Sequence, residues 1–308
     1  MIATTTETGP GLASRLVNSI LAIKPLAEFA KTRARKMMIE RAEKIGVPWR
    51  ENVKNLRDHD WQSELVRVEN PTLTYPEYYV CSFHAYEQGN LSWEAAWEVE
   101  SAAYAVHSTI YSKPPNAQGD PTLRQNYHHV LQEQIFFSPQ DILDVGCSVG
   151  MSTFALQDTY PEAKITGLDL SPYFLAVANY NSGKRNSQIN WLHAAAENTG
   201  LADASFDLVS SFLVFHELPQ SAAKSIFAEA RRLLRPNGYF AMMDMNPRSE
   251  VYKKMPPYIL TLLKSTEPYL DQYFTLDVEK ELVAAGFKPP TINSISPRHR
   301  VIVAKVKS

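Results

Sequence analysis

The stretch ILDVGCSVGMST, residues 142–153, decides the fold. Ile142 to Val145 is an apolar run holding one carboxylate, the pattern of a buried strand. Gly146 and Gly150 bracket a turn in which the backbone needs freedom to bend and to approach a ligand without a Cβ in the way. The residues after Gly150 have the texture of a helix, whose free amides would face any anionic group placed at its start. A strand, a glycine turn and a helix form the opening unit of a doubly wound sheet, and such sheets bind ligands beyond the carboxyl ends of their strands. The dinucleotide fingerprint needs glycine at the third and sixth positions counted from Gly146. Ser148 and Met151 stand there, which argues against NAD or FAD.

The rhythm continues downstream. KITGLDL (164–170) reads as a second strand, Pro172 to Asn181 as a helix, and NWLHA (190–194) as a third strand. FDLVSSFLV (206–214) reads as a fourth strand, Ala222 to Leu234 as a helix, Pro236 to Gly238 as a turn, and residues 238–244 as a fifth strand. Alternating strands and helices imply a parallel sheet covered on both faces. The tail departs from this, with a helix over 277–285 and two strands around 290–296 and 300–306 joined by the tight turn SPRH, so those two are antiparallel. The expected class is α/β: a Rossmann-like, seven-stranded, mostly parallel sheet with an antiparallel C-terminal hairpin and a helical N-terminal cap. Asp169 closes the second strand, where a carboxylate can accept hydrogen bonds from vicinal ribose hydroxyls. Together the turn and Asp169 favour a nucleoside ligand without a pyrophosphate.

Upstream, residues 1–120 form an N-terminal extension and residues 121–308 the sheet domain. The first dozen residues read as a disordered tip, and apolar spacing from Leu12 to Ile45 predicts helix, broken in two by Pro25. Lys31, Arg33, Arg35, Lys36, Arg41 and Lys44 make the second half basic. That leaves two readings: a helix docked on its own domain with a solvated face, or peripheral contact with an anionic membrane. Residues 46–90 show no period, and Pro71 to Tyr79 reads as irregular. From Ser92, a predicted N-cap, a helix carries Trp93, Trp97, Glu100, Tyr104, His107 and Tyr111 along one face; a loop over 112–121 and a helix over 123–136 follow. The balance of 31 basic and 33 acidic residues argues against a nucleic-acid partner. No apolar run is long enough to cross a bilayer, and no secretory signal is read. Cys81 and Cys147 are too few for a disulfide framework or thiolate metal site, so a cytoplasmic location is expected.

At residues 142–153 the chain resembles the class I S-adenosylmethionine-dependent methyltransferases, and most of all the ubiquinone/menaquinone-methyltransferase-like group. GLDLSP (167–172), AAAEN (194–198) before ASFDLV (204–209), FHELP (215–219) and LRPNG (234–238) extend the resemblance, which is close over residues 120–245. The resemblance implies S-adenosyl-L-methionine as cofactor, S-adenosyl-L-homocysteine as product and no metal. It places Asp144, Gly146, Cys147, Ser148 and Gly150 around the methionyl part, Asp169 on the ribose, and Leu170, Ala195, Ala196 and Glu197 around the adenine. Phe212 and Phe215 would stand beside the cofactor and the acceptor pocket. Two departures matter: Ser148 replaces a commoner glycine, and Ala195 falls where many relatives carry an aspartate, leaving Glu197 or the backbone to hold the base.

Methyl transfer from a sulfonium chiefly requires alignment and exclusion of water. A phenol, an acid or a carbon acid additionally needs a base. His216, just past the fourth strand, is the first candidate, and His107 or Tyr104 the second. His193, inside a strand, reads as a satisfied core histidine. Trp97, Tyr104, Tyr111 and Phe215 are expected to wall the pocket of a small, aromatic or lipophilic acceptor, quinone- or phenol-like. The alternative is a non-catalytic protein that binds the cofactor or its product for regulation or assembly.

Overall fold

A computed structural model describes residues 24–82 and 86–307; the expected N-terminal tip and the helix ahead of Lys24 lie outside the described residues. Seven strands form one sheet: β1 (Asp141–Val145), β2 (Lys164–Asp169), β3 (Asn190–His193), β4 (Phe206–Phe212), β5 (Leu234–Met245), β6 (Thr291–Ser294) and β7 (His299–Lys305). Their order is β3-β2-β1-β4-β5-β7-β6. β1 to β5 run parallel, while β7 is antiparallel to both β5 and β6, so the expected α/β class stands. The order reverses between β1 and β4, leaving a crevice beyond their carboxyl ends.

The turn expected at Pro236–Gly238 is instead an irregularity within β5. The strand starts at Leu234, Asn237 takes φ 70°, and the register with β4 shifts between Phe206 and Leu208. The hydrogen-bonded ladder resumes past the kink, which is why a turn signal sits inside a strand.

The N-terminal cap comprises α1 (Lys24–Lys44), α2 (Trp49–Arg57), α3 (Gln62–Val68) and α4 (Trp93–His107). Pro25 lies in the first turn of α1, where its missing N–H costs nothing. Ser92 caps α4 as expected, its Oγ accepting from the Ala95 N–H at 3.2 Å. Arg35 of α1 reaches the carboxylates of Glu98 and Glu94 on α4, so one charge of the basic helix is tied to the cap. Glu98 is buried, and Tyr86 donates to its Oε2 at 2.7 Å.

Around the sheet lie α5 (Gly119–Gln134), α6 (Met151–Thr159), α7 (Pro172–Arg185), α8 (Gln220–Leu233), α9 (Glu250–Lys253), α10 (Pro257–Thr266), α11 (Leu270–Thr275) and α12 (Val278–Ala284). Leu123, Tyr127 and Leu131 of α5 join Ile142, Leu208 and Met243 in one core. Ile226, Phe227 and Leu233 of α8 join Leu143, Val209 and Phe240 in another. Alternate residues of β1, β4 and β5 thus enter opposite layers, as period-two side-chain direction requires. The cap is anchored on the sheet domain where Trp61 and Trp93 meet Tyr173 and Tyr180 of α7.

Candidate functional site

The glycine turn places its backbone under tight constraint. Gly146 has φ 69°, and a Cβ there would lie 2.4 Å from Val214 Cγ2. Ser148 takes φ 51°, a conformation in which an L-residue pays about 1 kcal/mol, so glycine would be the easier occupant. The amides of Gly146 and Cys147 both donate to the Leu168 carbonyl, at 2.8 and 3.0 Å, which pins the turn to β2. The Cys147 thiol is buried among the α7 and Trp191 side chains, and burial pushes it up, so this side chain is packing and only its backbone faces the turn.

Two carboxylates meet this turn. Asp144 is fully buried; its Oδ2 accepts from Ser152 Oγ at 2.6 Å and Thr153 Oγ1 at 2.7 Å. Its Oδ1 is buried with no partner among the described residues, as is Ser148 Oγ. Burial raises Asp144 to about 6, against the pull of the two hydroxyls. Asp169 accepts from the Ser148 N–H at 2.8 Å and the Ser171 N–H at 2.8 Å, and burial raises it to about 6 as well.

The irregular segment 70–80 lies along this crevice. Tyr79 donates to Asp169 Oδ1 at 3.3 Å, and Tyr78 donates to Glu197 Oε1 at 2.6 Å. Leu170 is buried nearby and Ala195 and Ala196 are half-buried, with Ala195 bridged to Asn198. His193 Nδ1 accepts from the Asn70 N–H at 2.9 Å, so Nε2 carries the proton and donates to the Leu170 carbonyl at 3.0 Å. That satisfies both ring nitrogens and matches the reading of His193 as a core residue.

The two candidate bases come to the neighbouring end of the sheet, each with its own carboxylate. His216 lies in a 3-10 turn, Phe215–Glu217, and its Nδ1 stands 2.8 Å from Asp244 Oδ1 at the end of β5. Asp244 Oδ2 also accepts the His216 backbone N–H at 3.2 Å. Burial alone would lower His216, but the Asp244 carboxylate outweighs it and raises the ring to about 10. At neutral pH His216 is therefore an imidazolium. His107, at the end of α4, places Nδ1 2.7 Å from Asp120 Oδ1; burial lowers it, so its imidazole is neutral and its Nδ1–H donates. The His299 ring stands 5.9 Å from that of His107, and burial, with repulsion from His107, Arg298 and His216 behind it, lowers it.

Several expected site residues stand elsewhere. The Phe215 ring is 1% exposed, stacked on Phe227 at 4.9 Å, so it belongs to the α8 core and does not wall a pocket. Leu213 takes φ 60° just before it, which breaks the alternation on which the expectation rested. Phe212 packs edge-on to Tyr127 under the Arg124 guanidinium, 4.3 Å from its centroid. The aromatic stripe expected along one helix divides, and Tyr111 lies past the end of α4 at His107. Trp97 packs with Trp93 in the cap, Tyr111 donates to the Ile295 carbonyl at 3.0 Å, and Tyr104 faces a cavity of about 660 Å³. That cavity also takes in Glu100, Asp120, Arg124, Val149 and Met151, alongside the glycine turn.

Asp244, Asp120, Arg124, Tyr78 and Tyr79 were not singled out from sequence. Asp244 had a signal, being one carboxylate in the apolar strand FAMMDM. The tyrosines had none, because an aperiodic segment does not announce what it covers.

A family model described as "Methyltransferase domain" matches residues 143–242. The chain is 30% identical over 164 residues to an uncharacterized methyltransferase, sll0829, of Synechocystis sp. PCC 6803, covering 53% of this chain and 74% of that one. It is 41% identical over 102 residues to the malonyl-[acyl-carrier protein] O-methyltransferase of Hahella chejuensis, covering 32% of this chain and 34% of the relative. A phthiotriol/phenolphthiotriol dimycocerosates methyltransferase of Mycobacterium tuberculosis matches at 30% over 139 residues, covering 45% of this chain and 50% of the relative. The chain therefore spans a third to a half of the latter two. Among solved structures, the CurJ carbon methyltransferase superposes with TM-score 0.53 at 13% identity, over 85% of this chain and 71% of that one, which bears on the fold alone.

The chain belongs to the class I S-adenosylmethionine-dependent methyltransferases. It is a methyl-transferring enzyme by family. The crevice suits that cofactor: a glycine turn with no room for a Cβ at Gly146, and buried acceptor oxygens on Asp144 and Glu197 that await donors. Among the described residues no group of three or more His, Cys, Asp or Glu gathers as a metal site, and no helix is long and apolar enough to cross a membrane.

Proposed function

We propose that the crevice over β1, β2 and β4 binds S-adenosylmethionine and that His216 serves an acceptor ionising at oxygen or carbon. Asp144, with a buried unpartnered oxygen, would receive the ammonium of the methionyl part, and the turn from Gly146 to Gly150 would surround it. Arg124 and the start of α6 offer positive potential to the carboxylate, Arg124 lying beside Phe212 and near enough to Asp144 to lower it. Asp169 would take the ribose hydroxyls, and Leu170, Ala195, Ala196 and Glu197 the base. When bound, the cofactor supplies a methyl group already activated for displacement. The protein's task is then to orient the acceptor, exclude water and manage one proton.

The single observation that carries the acceptor class is the buried His216–Asp244 pair, 2.8 Å apart. An imidazolium held in place by a carboxylate attracts a phenolate, enolate or carboxylate oxygen and repels an ammonium. It thus favours acceptors with an acidic proton over amines, and a lipophilic body suits the buried surroundings of Tyr252 and Tyr273. The O-methyltransferase named among the relatives is consistent with an oxygen acceptor. His107, neutral and oriented by Asp120, is the one of the two histidines able to accept a proton, while His216 acts through its charge.

The test is transfer of labelled methyl to a panel of phenols, hydroquinones, free and thioester-linked carboxylic acids, and amines. Phenols or acids are expected to be labelled, and His216→Ala is expected to lower turnover about 100-fold while leaving cofactor affinity unchanged. Labelling of amines alone, or an unchanged rate in that variant, would reject this reading.

A further inference from the structure

We propose that Tyr78, from the N-terminal extension, is a positioning residue that aims Glu197 at the amino group of the cofactor's adenine. This rests on the cofactor reading given above.

Glu197 stands on a loop held by the Ala195–Asn198 bridge, where the Asn198 N–H donates to the Ala195 carbonyl at 3.1 Å. One carboxylate oxygen, Oε1, accepts the Tyr78 hydroxyl at 2.6 Å. The other, Oε2, is buried and has no partner among the described residues. A buried acceptor left without a donor is costly, and a site that keeps one is complete when a ligand brings the donor. Ala195 and Ala196, just ahead of Glu197 in the chain, are half-buried and apolar and leave room beside it for a flat ring. A donor on the rim of a flat heterocycle is what the exocyclic amine of adenine supplies. A purine with a carbonyl there would set oxygen against carboxylate.

Tyr78 makes this selective by fixing the orientation of the carboxylate. Its ring stands edge-on to Tyr269, with centroids 6.3 Å apart, and its backbone carbonyl accepts from the Cys81 thiol at 3.0 Å. With the hydroxyl on Oε1, rotation of the carboxylate costs that hydrogen bond, so Oε2 stays turned to the ligand. Phenylalanine at 78 keeps the ring packing and removes only this constraint. The residue lies outside the part of the chain matched by the family model, so the extension, and not the sheet domain alone, would set base specificity.

Calorimetric titration of the full chain with S-adenosylhomocysteine and S-inosylhomocysteine tests the idea without any turnover. The unaltered protein should prefer the adenosyl ligand by about tenfold or more, and Tyr78→Phe should cut that ratio about three- to tenfold with an unchanged melting temperature. Glu197→Gln, whose amide can donate, should shift preference toward the inosyl ligand. A full ratio retained in Tyr78→Phe overturns the positioning role while leaving the cofactor reading intact. Equal binding of both ligands by the unaltered protein overturns the role of Glu197 and with it that of Tyr78. Binding of neither overturns the cofactor reading itself.

Discussion

Replacing Asp244 by Asn tests the electrostatic core of the site. Asp244 is buried and accepts from the His216 backbone, the Met245 backbone at 2.7 Å and the His216 ring at 2.8 Å. Asparagine keeps one acceptor oxygen but no charge, so His216 loses the partner that keeps it protonated. Breaking a buried ion pair costs about 3–5 kcal/mol; release of the His216 proton relieves part of that, so about 3 kcal/mol is expected near neutral pH. The pH dependence has a definite sign. His216 is raised from its ordinary 6.5 to about 10, so its stabilisation is complete below about 6.5 and is lost as pH climbs through about 10. Between those limits each pH unit removes at most about 1.4 kcal/mol. Burial pushes the buried tyrosines and Cys147 upward as well, so their ionisation in the unfolded chain weakens both proteins toward the alkaline end of this window, and the difference between the two proteins is what reports His216. Urea unfolding followed by tryptophan fluorescence should show the unaltered protein weakening from about pH 7 to about pH 9.5 more steeply than Asp244→Asn, with the gap closing by about 3 kcal/mol. A level profile in the unaltered protein, or a gap below about 1 kcal/mol near pH 7, would refute the imidazolium and the acceptor preference built on it.

Gly146→Ala combines a left-handed φ of 69° with a Cβ 2.4 Å from Val214 Cγ2, so a loss of about 2–4 kcal/mol is expected in thermal unfolding, with weaker cofactor binding; a loss under about 1 kcal/mol would mean that the turn relaxes freely. Phe215→Leu should cost about 1–2 kcal/mol of stability through the Phe227 stack and leave turnover per folded molecule unchanged. A rise in acceptor KM in that variant would return the ring to the pocket wall.

How much could be read in advance depended on what kind of signal each part carried. Strands β1, β2 and β4 were legible because they are buried on both faces and read as apolar runs, and the hairpin because SPRH leaves no room for a crossover. The glycine turn was legible because the positive φ of Gly146 and Gly150 restricts residue type there, and Asp144 and Asp169 because each is a carboxylate near the carboxyl end of a strand. Phe215 misled because the left-handed Leu213 turns the chain by a step that no alternation pattern contains. Asp244 was hidden in a strand whose neighbours all read as core. The α4 stripe was periodic as far as His107, but the helix ends there and Tyr111 lies beyond it; periodicity also gives a face and not what meets it, since Trp97 finds the cap and Tyr104 the cavity, while Tyr111 reaches Ile295 from the following loop.

The division between extension and sheet domain is therefore one of sequence texture more than of chemistry. Asn70 and Tyr75 engage His193, Tyr78 engages Glu197, Tyr79 engages Asp169, and the Asn90 carbonyl accepts from Ser171 Oγ at 2.7 Å. Every one of these partners lies at the carboxyl edge of β2 or β3, where the nucleoside half of the cofactor is proposed to bind. A ligand entering there must come past residues 70–90 or move them, since Tyr79 already occupies one hydrogen-bonding direction of Asp169. The Tyr79 contact is long at 3.3 Å while the two amide bonds to Asp169 are 2.8 Å, so the tyrosine is the partner most readily displaced and the amides are the ones that keep the carboxylate aimed. Asp169 and Glu197 are thus held from both parts of the chain, and on the proposed reading the extension covers and selects the cofactor that the sheet domain's carboxylates receive.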